Sequence, residues 1–283
     1  MITPGIYPQM PAEEYHAIDA CSSSRLKLLK RSPAHCKHSV DFPNGNKSPA
    51  MVTGSAVHCA VLEPECFDSR YIVKPKFSGK GSVAALVSWE VQQEMMGFGG
   101  EYLGADDRML AQRLTVELYG HRIAGPILRQ KSQVEISGIW IDSPTSLLCK
   151  LRSDAVSAKL NMVVDLKTTD DASPGAFSAS IFKYGYHRQG AMYLDGWKAL
   201  GIEYRHYCII AVEKKAPYGV AVYRLNTEGR AIELGRKENR ALINRYAQCK
   251  AENNWPSYPE VITDIELPAW AERQINEEYR DDI

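Results

Sequence analysis

The chain lacks three features that would each have placed it in a specific class. Its seven cysteines are odd in number and never form Cys-x-x-Cys, which argues against a disulfide framework and against a zinc or iron–sulfur site. No apolar run approaches the ~20 residues that a membrane-spanning helix needs. Basic and acidic residues balance at 34 each, giving zero net charge. Bulk charge therefore argues against a protein that coats nucleic acid, although a local basic channel stays possible.

What remains is an ordinary composition, with 45% hydrophobic and 24% charged residues in a chain of 283. We expect the cysteines to be buried thiols. Since no apolar signal segment stands near the N-terminus, we expect an intracellular, cytoplasmic protein. We also expect one domain over residues 1–283. It would comprise an irregular arm at 1–20, a core carrying the motifs at 21–200, and completing strands and C-terminal helices at 201–283.

Hydrophobic periodicity predicts an α+β chain with one central mixed β-sheet flanked by helices. The predicted helices cover 25–31, 50–63, 83–97, 106–120, 174–200, 228–252 and 268–280. The predicted strands cover 71–73, 133–140, 146–157, 161–169, 205–214 and 218–225. Three of these strands, from 133 to 169, would form an antiparallel meander.

Two acids and a lysine on adjoining predicted strands form the most informative pattern. The apolar run Met162–Val164 leads into Asp165, and Lys167 follows two residues later. Both side chains then point to the same face of the strand. Asp154 lies on the preceding strand, across a predicted turn at Lys159–Asn161. This set would pack poorly in a core, but it suits a hard divalent cation with an ammonium group beside it.

Other residues are candidates for the same site. The backbone carbonyl of Leu166 could supply a further oxygen ligand. His58 stands in an apolar helical run and is either a metal ligand or a core histidine bonded by its neighbours. Glu63 matches the face of His58 less well. Glu135 opens the first strand of the meander and is about equally consistent with a solvent-facing side chain.

A polar pair follows the meander on the next predicted helix. Gln189 and Tyr193 are four residues apart and so share a helix face. They could orient a phosphate or position Lys167, although an ordinary pair on a helix surface accounts for them equally well. Lys183 and Arg188 lie nearby in sequence and could contact a DNA backbone.

An acid, a hairpin and Asp-x-Lys together resemble the PD-(D/E)xK nuclease superfamily. Asp165-Leu-Lys167 corresponds to the (D/E)xK element and Asp154 to its first acid. Position 165 carries Asp where many members carry Glu, and the cysteine cluster of the iron–sulfur members is absent. The resemblance covers about residues 20–200.

Flanking motifs narrow the resemblance. The pairs Gly54/His58 and Gln189/Tyr193 are similar to the Gly-x-x-x-His and Gln-x-x-x-Tyr motifs of the RecB-like branch. Within that branch the chain most resembles the RecE-type exonuclease VIII nuclease domain, through three segments: Ser22–Leu29, Ser32-Pro33 and Gly54–Pro64.

The resemblance implies a restriction-endonuclease-like core and a Mg²⁺-dependent deoxyribonuclease, with Mn²⁺ as a substitute. Such an enzyme would degrade linear double-stranded DNA from its ends, with 5′→3′ polarity, and leave single-stranded DNA for recombination. The implied partners are double-stranded DNA ends, other copies of the chain in a ring-shaped homo-oligomer (a tetramer), and a single-strand annealing protein.

The resemblance also assigns roles to residues. The implied metal ligands are His58, Asp154, Asp165 and the backbone carbonyl of Leu166. The implied catalytic residues are Asp154, Asp165, Lys167, Gln189 and Tyr193. Lys167 would orient or deprotonate the attacking water, or neutralise the phosphate. A pKa lowered by a nearby cation would help it act as a base.

Three alternatives stay open. The first is a structure-selective or site-specific endonuclease on the same fold, which would not depend on DNA ends. The second is a nucleic-acid-binding module without catalysis, although such a module has no need to place two carboxylates beside phosphates. The third is an unrelated enzyme that uses these acids for other chemistry.

Overall fold

A computed structural model describes residues 2–42 and 48–280 of the protein. Its centre is a six-stranded mixed sheet in the order β1-β4-β5-β6-β7-β8. The strands are β1 (Gly5–Tyr7), β4 (Gln133–Asp142), β5 (Leu147–Ser157), β6 (Met162–Thr169), β7 (His206–Glu213) and β8 (Val220–Asn226). Two short parallel strands, β2 (Tyr71–Val73) and β3 (Glu101–Leu103), form a separate pair.

Helices cover both faces of this sheet. They are α1 (Ala12–Ala17), α2 (Ser23–Arg31), α3 (Pro33–Asp41), α4 (Pro49–Leu62), α5 (Phe67–Arg70), α6 (Ser82–Met95), α7 (Ala105–Gly120), α8 (Ala124–Arg129), α9 (Pro174–Tyr184), α10 (Tyr186–Ala199), α11 (Arg230–Glu252) and α12 (Ala269–Glu278). The predicted α+β class with a central mixed sheet is confirmed.

The sheet divides the interior into two apolar layers. Because side chains alternate along a strand, odd-numbered residues of β6 and β7 such as Val163 and Tyr207 face one layer with Trp197 of α10. Even-numbered residues such as Leu166 face the other layer with Val57 of α4. Leu166 therefore packs away from Asp165 and Lys167, as the alternation predicts.

The β6–β7 pair is parallel, whereas the other neighbouring strands of the large sheet run antiparallel. A parallel pair needs a crossover, and α9 with α10 provides it. Helix α10 lies very close to the sheet because it carries glycines at the contact. A Cβ at Gly190 would lie 2.8 Å from the Tyr207 ring, and one at Gly196 would lie 2.7 Å from the Trp140 ring. This close approach brings the polar residues of α10 down to the surface of β6.

Strands β5 and β6 separate in the middle of the sheet. They pair only through Ala155–Ser157 and Met162–Val164, although β6 stays paired with β7 along Met162–Thr169. The backbone of Asp165 and Leu166 therefore leaves a gap on the β5 side. Backbone N–H and C=O groups of β6 that have no β5 partner there can form hydrogen bonds with side chains instead.

Several sequence predictions need correction. The irregular arm predicted at 1–20 is wrong for residues 2–20, because they contain β1, paired with β4, and α1. The helix predicted at 25–31 does end before Pro33, but the helix that follows it was not predicted: Ser32 accepts the His35 amide at 3.3 Å and caps α3, with Pro33 in the first turn. The single helix predicted at 174–200 is two helices, because Gly185 adopts a φ of 76° between them.

The C-terminal residues that the structure describes are far more exposed than the rest of the fold. Residues 256–280 are exposed except for the half-buried Ala271, and α12 has no buried residue. In the part of the chain that the structure describes, no helix has both the length and the apolar character to cross a membrane.

Candidate active site

Asp154 fills the gap between the separated strands. Its Oδ2 accepts a hydrogen bond of 2.8 Å from the backbone N–H of Leu166, a group that a β5 carbonyl would otherwise bind. Burial, and then the neighbouring carboxylate of Asp165, raise the pKa of Asp154 to about 7. Two predicted acids are thus brought together, and their negative charges are incompletely compensated.

His58 approaches the same carboxylate from the other side of the sheet. It lies on α4, and its Nδ1 is 3.4 Å from Oδ2 of Asp154. Burial and the positive charge of Lys167 lower the pKa of His58, while hydrogen bonding to the Leu166 backbone acts in the opposite direction. The imidazole is therefore neutral near pH 7, which is the form that binds metal ions. The structure places this histidine at the site, beside Leu166, as the sequence motif implied.

Glu135 is a third acid at this position, and the sequence left its orientation open. Its backbone has a φ of 49°, an uncommon conformation for a residue with a side chain. The register of β4 and β5 pairs Val134 with Ala155 and Ile136 with Ser153, and Glu135 lies between them opposite Asp154. Burial and the charge of Asp154 raise the pKa of Glu135. No sequence pattern reveals the backbone turn that sends this side chain inward.

Arg152 compensates Glu135 and was not singled out from the sequence. Its Nε donates to Oε2 of Glu135 at 2.7 Å, and its Nη1 donates to the Met10 carbonyl at 2.8 Å. Since Arg152 stands two residues before Asp154 on β5, the same alternation that located the lysine would have placed it on the site face.

Asp165 and Lys167 form an ion pair on the site face of β6. Lys167 Nζ lies 2.5 Å from Oδ2 of Asp165, and Gln189 Nε2 donates to its Oδ1 at 3.0 Å. Asp165 is 1% exposed. The amide on α10 thus fixes the carboxylate, and the carboxylate fixes the ammonium group.

The charge state of Lys167 is set by the two carboxylates beside it. Burial disfavours the ammonium form, but the carboxylates of Asp165 and Asp154 outweigh it and raise the pKa of Lys167 well above its ordinary value. The lowering of this pKa that a bound cation would cause stays a prediction. Among the protein's own groups, these carboxylates favour the charged ammonium form of Lys167.

Tyr193 and Tyr207 lie behind this pair. Burial raises the pKa of both phenols well above the ordinary value, and a hydrogen bond with Gln189 acts in the opposite direction on Tyr193. Their rings pack edge to face at 6.1 Å. Tyr193 therefore stands where the Gln-x-x-x-Tyr motif placed it, next to Gln189. Tyr207 was not identified from the sequence, because it occurs in a continuous apolar run on β7.

Some of these groups line a cleft of about 390 Å³ between α2, the α9–α10 corner and the sheet, whereas His58, Asp165 and Tyr207 lie outside its lining. Its lining includes Glu135, Arg152, Asp154, Lys167, Gln189 and Tyr193. The Lys167 ammonium lies 5.3 Å from the centre of the Tyr186 ring, which forms part of the wall. The cleft therefore presents two cations, Arg152 and Lys167, beside two acids, Glu135 and Asp154.

The donor set suits a divalent cation. One ligand atom each from His58, Glu135 and Asp154 lie within 4.8 Å of one another. Two carboxyl groups with raised pKa values and a neutral imidazole are stabilised by a shared positive ion. Oxygen ligands with one imidazole fit Mg²⁺ or Mn²⁺ better than a soft metal.

The remaining sequence candidates do not join the acids and Lys167. Glu63 receives two hydrogen bonds from Arg70, at 2.5 and 2.8 Å, and so is engaged outside the cleft. Arg188 lines the cleft but is 5% exposed, and its Nε lies 3.3 Å from Glu238. Lys183 lies at the α9–α10 corner, with its Nζ 5.4 Å from the centre of the Tyr184 ring.

Comparison with known proteins identifies a family and a fold. A family model described as "PDDEXK-like domain of unknown function (DUF3799)" matches residues 22–267. No curated protein matches the sequence.

Among solved structures, the chain is similar to a candidate exonuclease from Eubacterium rectale. The TM-score is 0.62 at 14% identity, covering 92% of this chain and 96% of that one. A phage-related exonuclease from Haemophilus somnus gives a TM-score of 0.34 at 12% identity, covering 64% and 91%, which is too remote to support an argument. At these identities the likeness establishes the fold alone.

Proposed function

Because the chain belongs to the family of PDDEXK-like domains, which confirms the predicted resemblance, we propose that it is a Mg²⁺-dependent deoxyribonuclease. Its substrate is linear double-stranded DNA, degraded from the ends with 5′→3′ polarity to leave single strands for recombination. The observation that carries the proposal is the grouping of His58, Glu135 and Asp154 around one point beside the Asp165–Lys167 pair.

The metal-binding residues in this proposal are His58, Glu135, Asp154, Asp165 and the Leu166 carbonyl. A bound Mg²⁺ supplies positive charge to the scissile phosphate and its leaving oxygen. Glu135 is an addition to the set that the sequence implied. Mn²⁺ is expected to substitute.

The protein's own groups act around that ion. Lys167, kept charged by Asp165, orients the attacking water and neutralises a phosphate oxygen as negative charge develops there. Gln189 holds Asp165 in place, and Tyr193 supports Gln189 from behind. Preorganisation of this kind lowers the barrier because the groups need not reorient during the reaction.

Assembly is part of the proposal. A chain of zero net charge has little bulk attraction for duplex DNA, so a monomer would dissociate often between cuts. Residues 1–283 would act as one nuclease domain in a ring-shaped homotetramer that encloses the DNA. The single-stranded product would then pass to a single-strand annealing protein.

The test compares linear and covalently closed circular duplex DNA, each with Mg²⁺ and with EDTA. We expect loss of the linear DNA only, and only with Mg²⁺. The variant Lys167→Ala serves as the control against a contaminating nuclease. Hydrolysis that persists in EDTA would refute the metal role. Rapid cutting of closed circles by a protein that sediments as a monomer would instead indicate the endonuclease.

A further inference from the structure

Two exposed aromatic rings stand at the end of α9, next to the cleft wall, and have no part in the hydrolytic arrangement. We call Phe182 and Tyr184 the aromatic rim. Their exposures are 68% and 43%. Both rings lie at the end of α9, immediately before Gly185, where the chain turns into α10. Large exposed rings beside a cleft are typical of a surface that meets a ligand.

Three lysines surround the aromatic rim. Lys30 Nζ lies 5.5 Å from the centre of the Phe182 ring, and Lys27 and Lys183 lie 5.6 and 5.4 Å from that of Tyr184. Lys30 also pairs with Glu238 at 3.0 Å. Among the described residues, Lys27 and Lys183 form no ion pair. Two positive charges are thus left to attract an anion next to flat apolar surfaces.

The aromatic rim is continuous with the candidate active site. The Lys167 ammonium lies 5.3 Å from the Tyr186 ring, and that ring lies 5.7 Å from the Tyr184 ring. Tyr184, Tyr186 and Lys27 line the same cleft as Lys167. A chain molecule with its phosphate at Lys167 would therefore pass over the aromatic rim as it leaves the cleft.

We propose that the aromatic rim is a stacking site for unpaired nucleobases of the DNA strand that enters the cleft. Every base has a π-face, so stacking on Phe182 and Tyr184 accepts any sequence, while the lysines attract the phosphates. An apolar protein partner fits less well, because covering the rings would also desolvate Lys27 and Lys183. The inference rests on the proposed function for the identity of the strand.

The test measures binding without hydrolysis. Fluorescence anisotropy in EDTA follows a short labelled oligothymidylate as it binds to the full-length protein. We expect Phe182→Ala and Tyr184→Ala each to weaken binding on the order of tenfold. Phe182→Trp, which keeps a π-face, should retain wild-type affinity, and Phe182→Leu, which keeps only apolar bulk, should lose it. Phe42→Ala is the matched control, because that ring is 65% exposed and packs beside His38, whereas the Phe182 ring lies under Lys30.

A second probe separates stacking from charge. An oligonucleotide of the same length with abasic sites should bind the wild-type protein as weakly as the normal oligonucleotide binds the Phe182→Ala variant. The proposal would be overturned if the alanine substitutions weakened binding of the normal and the abasic oligonucleotide by the same factor. It would also be overturned if both alanine variants bound the normal oligonucleotide with wild-type affinity. Unchanged melting temperatures show that the variants are folded.

The two proposals can fail separately. Ring-dependent binding of the oligonucleotide by a protein that never hydrolyses DNA would leave the stacking site standing and remove the nuclease. Mg²⁺-dependent hydrolysis, with an oligonucleotide affinity that neither alanine substitution changes, would support the nuclease and remove the stacking site.

Discussion

Replacing Asp154 by asparagine should stabilise the fold while it removes activity. The carboxylate is buried, faces Asp165, and has its pKa raised to about 7. The asparagine side chain would keep an oxygen acceptor for the Leu166 amide and would carry no charge. The substitution therefore removes an electrostatic penalty and retains the hydrogen bond that joins β5 to β6 at the gap.

The sign of the effect depends on pH. Well below the ordinary pKa of 3.8 the carboxyl is protonated in both the folded and the unfolded chain, so the wild type has no penalty. Between pH 4 and 7 the folded state holds a proton that the unfolded state releases, and stability falls as pH rises. Above pH 7 both states are ionised and the penalty is complete. The rise from 3.8 to about 7 corresponds to as much as about 4 kcal/mol at 1.36 kcal/mol per unit.

The assay is urea unfolding of the wild type and of Asp154→Asn in EDTA, at pH 4.5 and at pH 8. We expect the variant to have the higher free energy of unfolding at pH 8, and the advantage to shrink greatly at pH 4.5. Added Mg²⁺ should stabilise the wild type, by about 2.7 kcal/mol at a hundred times its Kd, and should not stabilise the variant.

Two results would refute the reasoning. One is a variant no more stable than the wild type at pH 8, which would mean that Asp154 is well solvated or fully compensated. The other is an advantage of the same size at both pH values, because a gain independent of ionisation would come from packing.

Three further predictions concern neighbouring side chains. Lys167→Ala should lower turnover on the order of a thousandfold and leave DNA binding nearly unchanged, with the exposed Lys198→Ala as control; near wild-type rates would contradict its role. His58→Ala should raise the Mg²⁺ concentration for half-maximal rate with little change in melting temperature, whereas a large drop in melting temperature with an unchanged metal requirement would make it a core histidine. Glu135→Gln should weaken Mg²⁺ binding measured by calorimetry, and unaltered binding would remove this acid from the metal site.

Much of the site could be predicted because its residues follow a strand or helix period. Asp165 and Lys167 share a face through alternation along β6, and Gln189 and Tyr193 share one through the helical repeat of α10. The turn at Lys159–Asn161 also forms as predicted, with Asn161 at a φ of 52°. Such regularities depend only on local backbone geometry, which sequence spacing records directly.

The rest depends on tertiary structure. Glu135 faces the site because its backbone adopts a positive φ, which its sequence neighbours do not signal. Tyr207 lies beside Asp165 only because β6 and β7 pair in parallel after a crossover. The separation of β5 from β6 likewise has no signal in the sequence spacing, and it leaves the Leu166 amide free to bind Asp154. Roles for these residues stay predictions until the variants are measured.

The gap between β5 and β6 has a spectroscopic consequence. The Leu166 amide proton is hydrogen-bonded to a titrating carboxylate, whereas most backbone amide protons in the sheet are hydrogen-bonded to peptide carbonyls. Its chemical shift should move as Asp154 gains or loses a proton, and its exchange with deuterium should slow when an ion holds that carboxylate in place. The NMR signal of this one backbone amide thus reports the protonation of Asp154 without any added probe.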